Sequence, residues 1–225
     1  MVTSLIDGFQ NFRDRFFGKA SSEFGDLVSK GQKPKTMVVG CADSRVDPAI
    51  LFNTRPGDLF MVRNVANLVP PYAPDAGLHG VSAALEYGVR DLMVENIIVL
   101  GHGLCGGVQA ICSHHRKLQE NGGKPDAPSR EFIGNWIDVA TPAMQNIDFA
   151  NWQDSFQHDA ERASIKNSIA NLRGFPWIAE AIKAGKLHLH GWWFDMENGA
   201  LWSLDEGSGN FIQIVPDAAE SKPTR

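Results

Sequence analysis

Two short clusters hold the residues most able to do chemistry: "CADSR", residues 41–45, and "GHGLCGG", residues 101–107. The first offers the thiol of Cys41, the carboxylate of Asp43 and the guanidinium of Arg45; the second offers His102 and Cys105. Two thiolates and an imidazole suit zinc, which favours sulfur and nitrogen donors in a tetrahedron. Three protein ligands leave the fourth position open, the arrangement of a catalytic rather than a structural site. The second cluster also permits another chemistry, because Gly101, Gly103 and Gly106 have the G-x-G-x-x-G spacing of a dinucleotide-binding turn. That fingerprint needs a later strand ending in an acidic residue about 20 positions on. Glu120 stands near that distance, but "RKLQENGGK" around it carries no strand pattern. Zinc is the better reading.

Cys112 is a poor fourth ligand. It follows Cys105 by seven residues on one predicted helix, a rise of about 10 Å, and reads as core. Burial alone would account for Cys41 or Cys105 taken singly. It does not account for the pair with His102 and with Asp43 and Arg45 alongside.

The elements that must position these clusters follow from hydrophobic periodicity. "TMVVG" (36–40), "DLFMVRN" (58–64), the run from 97 and "KLHLHGWWFD" (186–195) read as strands. "GLHGVSAALEYGVRDLMV" (77–94) spaces Leu78, Val81, Leu85, Val89 and Leu92 as a helix. "ALWSL" and "FIQIV" read as an edge hairpin. The order predicts an α/β fold: a mostly parallel four-stranded sheet with an edge strand or hairpin, flanked by helices. Ligands of such sheets bind at the carboxyl ends of the strands, where both clusters fall. Residues 121–130 are expected to be a loop.

Composition sets the outer limits. The 225 residues are expected to form one domain, with a helical arm over 1–30 and a frayed tail over 216–225. A formal net charge of −5 argues against a nucleic-acid surface, and no run reaches the roughly 20 apolar residues of a membrane span. Three cysteines do not make a disulfide framework, so reduced thiols and a cytoplasmic location are expected. Val2, Leu5, Ile6, Phe9, Phe12 and Phe16 recur at helical spacing, an aromatic stripe for the same chain or a partner subunit. Asp7 and Asp14 in that segment disfavour a secretory or mitochondrial leader.

Taken together, "GQKPKTMVVGCADSRV", "RPGDLFMVRNVANLVPPY", "GVSAALEYGV" and "IIVLGHGLCGGV" resemble the β-class carbonic anhydrases, in the same order and across roughly residues 25–115. The resemblance implies one Zn²⁺ per chain on Cys41, His102 and Cys105. It implies reversible hydration of CO2 to bicarbonate and a proton by a zinc-bound hydroxide, with Asp43 and Arg45 as a catalytic dyad. In family members Arg45's counterpart holds the carboxylate off the metal, and some let it swing back at low pH. Gln32, nine residues before Cys41, together with Phe60, Val65 and Tyr87, matches the substrate pocket of open-type, plant-like members. Bicarbonate-regulated members have a tryptophan where Val38 stands and a tyrosine near Ala170, so only Arg63 of that trio is present.

Gly106 opens a predicted helix, so its N–H could meet a bicarbonate oxygen; close packing explains it equally well. His188 and His190 share a strand face, His114, His115 and His158 read as surface, and His79 is the preferred proton relay among the histidines. The expected partners are CO2 or bicarbonate and further copies of the chain, as a homodimer or a multiple of dimers. Hydrolysis of CS2 or COS on the same site, and a non-catalytic zinc module, are the alternatives.

Overall fold

Short β-branched runs and longer amphipathic segments alternate along the chain, and each strand is followed by the cover it needs. The computed structural model describes residues 2–17, 23–75, 77–122, 130–145, 147, 149, 153 and 156–218. Most of the 121–130 segment and most of the 216–225 tail lie outside the described residues. Helices α1 (Val2–Phe16) and α2 (Glu23–Lys30) precede strand β1 (Thr36–Cys41); α3 (Pro48–Leu51) leads to β2 (Leu59–Asn64). Helix α4 (Gly80–Glu86) then precedes β3 (Asn96–His102), and α5 (Gly106–Glu120), α6 (Ile133–Ile137), α7 (Thr141–Met144), α8 (Phe156–Arg173) and α9 (Pro176–Lys183) follow it. Strands β4 (His188–Asp195), β5 (Ala200–Leu204) and β6 (Phe211–Val215) complete the sheet.

The strand order is β2-β1-β3-β4-β5-β6. The first four strands are mutually parallel, and β5 pairs antiparallel with both β4 and β6, as expected from the sequence. From β1 the chain runs outward to β2, then crosses back to β3 and onward to β4. The connections diverge between β1 and β3, and that divergence opens a crevice at their carboxyl ends. Cys41 ends β1 and His102 ends β3.

Central strands covered on both faces have continuous apolar sequences. Met37, Val39, Ile97 and Val99 pack against Ile165, Ile169 and Leu172 of α8 and Ile178 of α9. Val38, Ile98 and Leu100 face the other way, toward Leu51, Phe52 and Trp192. A third cluster lies under the crevice, where Cys41, Cys105 and Ala66 meet Val108, Ile111, Ala140 and Met144. Helix α8 lies close to the sheet because it meets glycines: a Cβ on Gly101 would stand 2.7 Å from Ile165 Cδ1. The first glycine of the apparent nucleotide fingerprint therefore serves packing.

Helix α4 starts later than its hydrophobic spacing suggests. Asp75 takes the Gly77 N–H at 2.5 Å and His79 Nε2 at 2.7 Å, which keeps residues 77–79 out of the helix. At its other end the helix widens into a π-turn over Tyr87–Asp91. Helix α1 buries none of its residues. Phe12, Phe16 and Phe17 touch Phe24 of α2, while Val2, Leu5, Ile6 and Phe9 remain more than half exposed. No described helix is long and apolar enough to cross a membrane.

Candidate metal centre

The strands and their following turns bring Cys41, His102 and Cys105 together, with all three side chains buried and their ligand atoms within 4.8 Å of one another. Among the described residues no other group of His, Cys, Asp and Glu is so arranged. Cys41 Sγ and Cys105 Sγ lie 3.8 Å apart. Two sulfurs bound at about 2.3 Å in a tetrahedron would be separated by about the same distance. His102 Nδ1 lies 2.9 Å from the Gly103 carbonyl oxygen. A carbonyl can only accept, so Nδ1 carries the proton and Nε2 presents its lone pair. Nε2 is buried without a hydrogen-bond partner. An imidazole oriented in this way and two sulfurs at tetrahedral spacing fit a zinc ion. Cys112 is buried in the same apolar cluster as Cys41 and Cys105 but does not join the ligand group.

Their mutual hydrogen bond sets the Cys41 and Cys105 thiols apart. The Cys41 thiol is lowered, chiefly by the bond from Cys105 and against the effect of burial, with the amides of Asp43 and Ala66 assisting. The Cys105 thiol, as donor in that bond, is pushed up. Burial raises Cys112 to about 12.

The turn after β1 holds the carboxylate. The Arg45 N–H donates to Asp43 Oδ1 at 2.9 Å, closing the Asx-turn that "DSR" can form anywhere. The Arg45 side chain then adds a two-pronged bond, Nε to Oδ1 at 2.9 Å and Nη2 to Oδ2 at 2.7 Å. Nη2 also donates to the Leu104 carbonyl at 3.1 Å, and Leu104 has φ +55°. The guanidinium thus ties the two motifs together. Its bonds hold the Asp43 carboxyl far below the usual carboxylate range. Asp43 Oδ2 stands 4.0 Å from the free His102 Nε2. Beneath the turn, Arg63 donates to the carbonyls of Cys41 (3.0 Å) and Asp43 (2.7 Å) and to Asp47 Oδ2 (2.7 Å).

The remaining candidate residues divide into two groups. Val65 follows β2 at the crevice end and is 39% exposed. Gly106 begins α5 in open space. The close-packing role falls instead to Gly107, where a Cβ would lie 2.9 Å from Ala66 Cβ and Val65 Cγ1. Phe60 and Tyr87 pair with each other, ring centroids 5.9 Å apart, but not with the metal ligands. Phe60 is paired with Met37, whereas Cys41 is paired with Asn64, a separation of about 13 Å at about 3.3 Å per residue. Gln32 is exposed on the loop before β1.

His114, His115 and His158, expected at the surface, are each partly buried, whereas His188 is exposed. His115 stacks on Phe149, and His158 lies against Trp193. Glu161 escaped the sequence reading altogether. It is 2% exposed and its carboxylate accepts the Cys105 N–H at 2.9 Å. Its signal was position, because Glu161, Ser164, Ile165, Ser168, Ile169 and Leu172 form one buried stripe on α8.

The family model described as "Carbonic anhydrase" matches residues 36–201. Beta carbonic anhydrase 5, chloroplastic, of Arabidopsis thaliana is 37% identical over 223 residues, covering 90% of this chain and 70% of the relative. A carbonic anhydrase of Pseudomonas aeruginosa is 36% identical over 216 residues, covering 95% and 92%. Among solved structures, the β-carbonic anhydrase CcaA superposes with a TM-score of 0.80 at 28% identity, covering 94% of this chain and 98% of that one.

Proposed function

The chain belongs to the β-class carbonic anhydrase family and is a zinc enzyme of reversible CO2 hydration; from that premise we propose that Asp43 and Arg45 form its catalytic dyad, in the open arrangement. Zinc, held by Cys41, His102 and Cys105, supplies the Lewis acidity that makes water a nucleophile near neutral pH. Two thiolates neutralise much of the ion's charge, so orientation by the protein gains weight.

Asp43 provides that orientation. Arg45 occupies one edge of both carboxylate oxygens and leaves Oδ2 facing the ligand side of the site. An ionised Oδ2 can accept a hydrogen from the attacking water and aim its lone pair at the carbon of CO2. Gly106 N–H, at the start of α5, stands where it could donate to a bicarbonate oxygen. The observation that carries this reading is the two-pronged Arg45–Asp43 bond beside an unpartnered His102 Nε2.

We also propose a homodimer, or a multiple of it. In one chain the Phe60–Tyr87 pair lies well toward the amino ends of the strands, and Val2, Leu5, Ile6 and Phe9 of the α1 stripe are uncovered. A second copy that brings its Phe60 and Tyr87 over the crevice would complete the apolar wall begun by Val65, and its Gln32 would add a donor to bound substrate. The three free thiols favour a reducing, cytoplasm-like compartment.

Stopped-flow CO2 hydration tests the dyad. Activity is expected to vanish on metal removal and return with zinc. Asp43→Asn is expected to lose roughly a hundredfold or more in rate while keeping its zinc. Full activity in Asp43→Asn would refute the role.

A further inference from the structure

The turn that carries Cys105 does not hold itself in place. Leu104 is in the left-handed region, which a leucine adopts only at a cost. Cys105 is the residue before α5, and its side chain makes no capping bond. Two outside groups fasten the turn instead. Arg45 takes the Leu104 carbonyl from the solvent side, and Glu161 takes the Cys105 N–H from the core side.

Glu161 is well built for that task. Oε1 accepts from Cys105 N at 2.9 Å and Gln157 Nε2 at 3.1 Å, and Oε2 accepts from Trp193 Nε1 at 3.0 Å. Every partner is a donor, so the carboxylate suits them all, whereas the acid would add an O–H with no acceptor among them. A buried charge is tolerable when it is bonded in this way. Trp193 is itself held on β4 beneath the Arg162 guanidinium, 4.2 Å from its ring centroid. The stretch from α8 through Trp193 to the ligand turn is therefore continuous.

We propose that Glu161 is the positioning residue of the metal turn: its carboxylate holds the Cys105 main chain, and through it Cys105 Sγ, in ligand geometry. The inference rests on the zinc reading above and adds a residue outside both motifs. Groups that orient ligands in this way typically affect metal affinity by roughly ten- to a hundredfold.

Zinc release from the holoprotein into a chromogenic chelator tests it without reference to turnover. Trp193→Phe alone removes one donor and spares the Cys105 bond, so it is expected to release zinc at close to the wild-type rate. Glu161→Gln combined with Trp193→Phe keeps an amide oxygen for Cys105 and is expected to behave alike. Glu161→Leu combined with Trp193→Phe orphans the Cys105 N–H and is expected to release zinc roughly tenfold faster or more. Its cobalt-substituted form is expected to show altered ligand-field bands, which a purely structural role would not produce. If that variant folds cooperatively and still releases zinc at the Trp193→Phe rate, the proposal is overturned. If it fails to fold, Glu161→Asp decides, because it retracts the carboxylate from Cys105 but keeps the charge: faster release supports the proposal and an unchanged rate refutes it. A wild-type chain that bound no zinc would overturn the metal reading as well, a failure distinct from that of Glu161 alone.

Discussion

Asp43 and Arg45 make a site in which charge is fixed and geometry is the variable. The folded Asp43 carboxyl is held far below its ordinary value, first by the Arg45 side-chain bonds. Its contribution to stability is therefore present above the ordinary carboxylate value of about 3.9 and is lost as pH falls from there toward the folded value. Near neutrality it stays ionised with or without Arg45. Arg45→Ala is thus expected to lower hydration rates across the neutral and alkaline range alike, since the defect is in orientation. Recovery of wild-type rates on raising the pH would show that the guanidinium acts by charge alone. Arg45→Lys is expected to fall well short of wild type, because an ammonium cannot reproduce the two-pronged bond. Cys112 is the contrasting case. Raised to about 12 by burial, it is expected to resist alkylation at neutral pH, and Cys112→Ala is expected to retain one zinc per chain by elemental analysis. Loss of zinc in that variant would contradict the three-ligand assignment.

At the scale of elements, α5 must approach the 3-10 turn Val65–Asn67 closely enough to seat Cys105 opposite Cys41. Gly107 permits that approach, with a virtual Cβ only 3.0 Å from the Ala66 backbone nitrogen. Gly107→Ala is expected to cost about 1–3 kcal/mol and to weaken zinc retention, seen as a lower melting temperature and faster chelation. Gly106→Ala meets nothing within 4 Å and is expected to melt like the wild type. The reverse order of effects would mean that the approach is not steric. Strands β1, β3 and β4 were legible because apolar runs of that length bounded by polar turns have few other uses, and the ligands were legible because both motifs follow such runs directly. Glu161 was not, because a charged residue on a predicted helix ordinarily faces solvent and its partners Trp193 and Cys105 lie 32 and 56 residues away. The late start of α4 was hidden for a similar reason, since Leu78 continues the hydrophobic spacing while Asp75 captures the backbone around it.

At the scale of the whole molecule, the residues matched to the substrate wall divide between the crevice and a surface about 13 Å away along the strands, which a single sequence motif could not reveal. If a second copy supplies the distant ones, two defective chains can repair each other. A chain with Phe60→Ala and Tyr87→Ala keeps its ligands; a chain with Cys41→Ser keeps its wall. Mixed after reversible dissociation, they are expected to recover hydration activity that neither has alone, and a mixture as inactive as its components would place the wall within one chain. Sedimentation at micromolar concentration is expected to show a dimer or larger, and a species near the 24.7 kDa of one chain would count against assembly. The donors also have an order in time. The ribosome delivers Cys41, His102 and Cys105 well before it delivers Glu161, so a nascent chain that stops short of α8 could grasp an ion loosely but could not lock it in, and metal loading becomes durable only once α8 has emerged and folded.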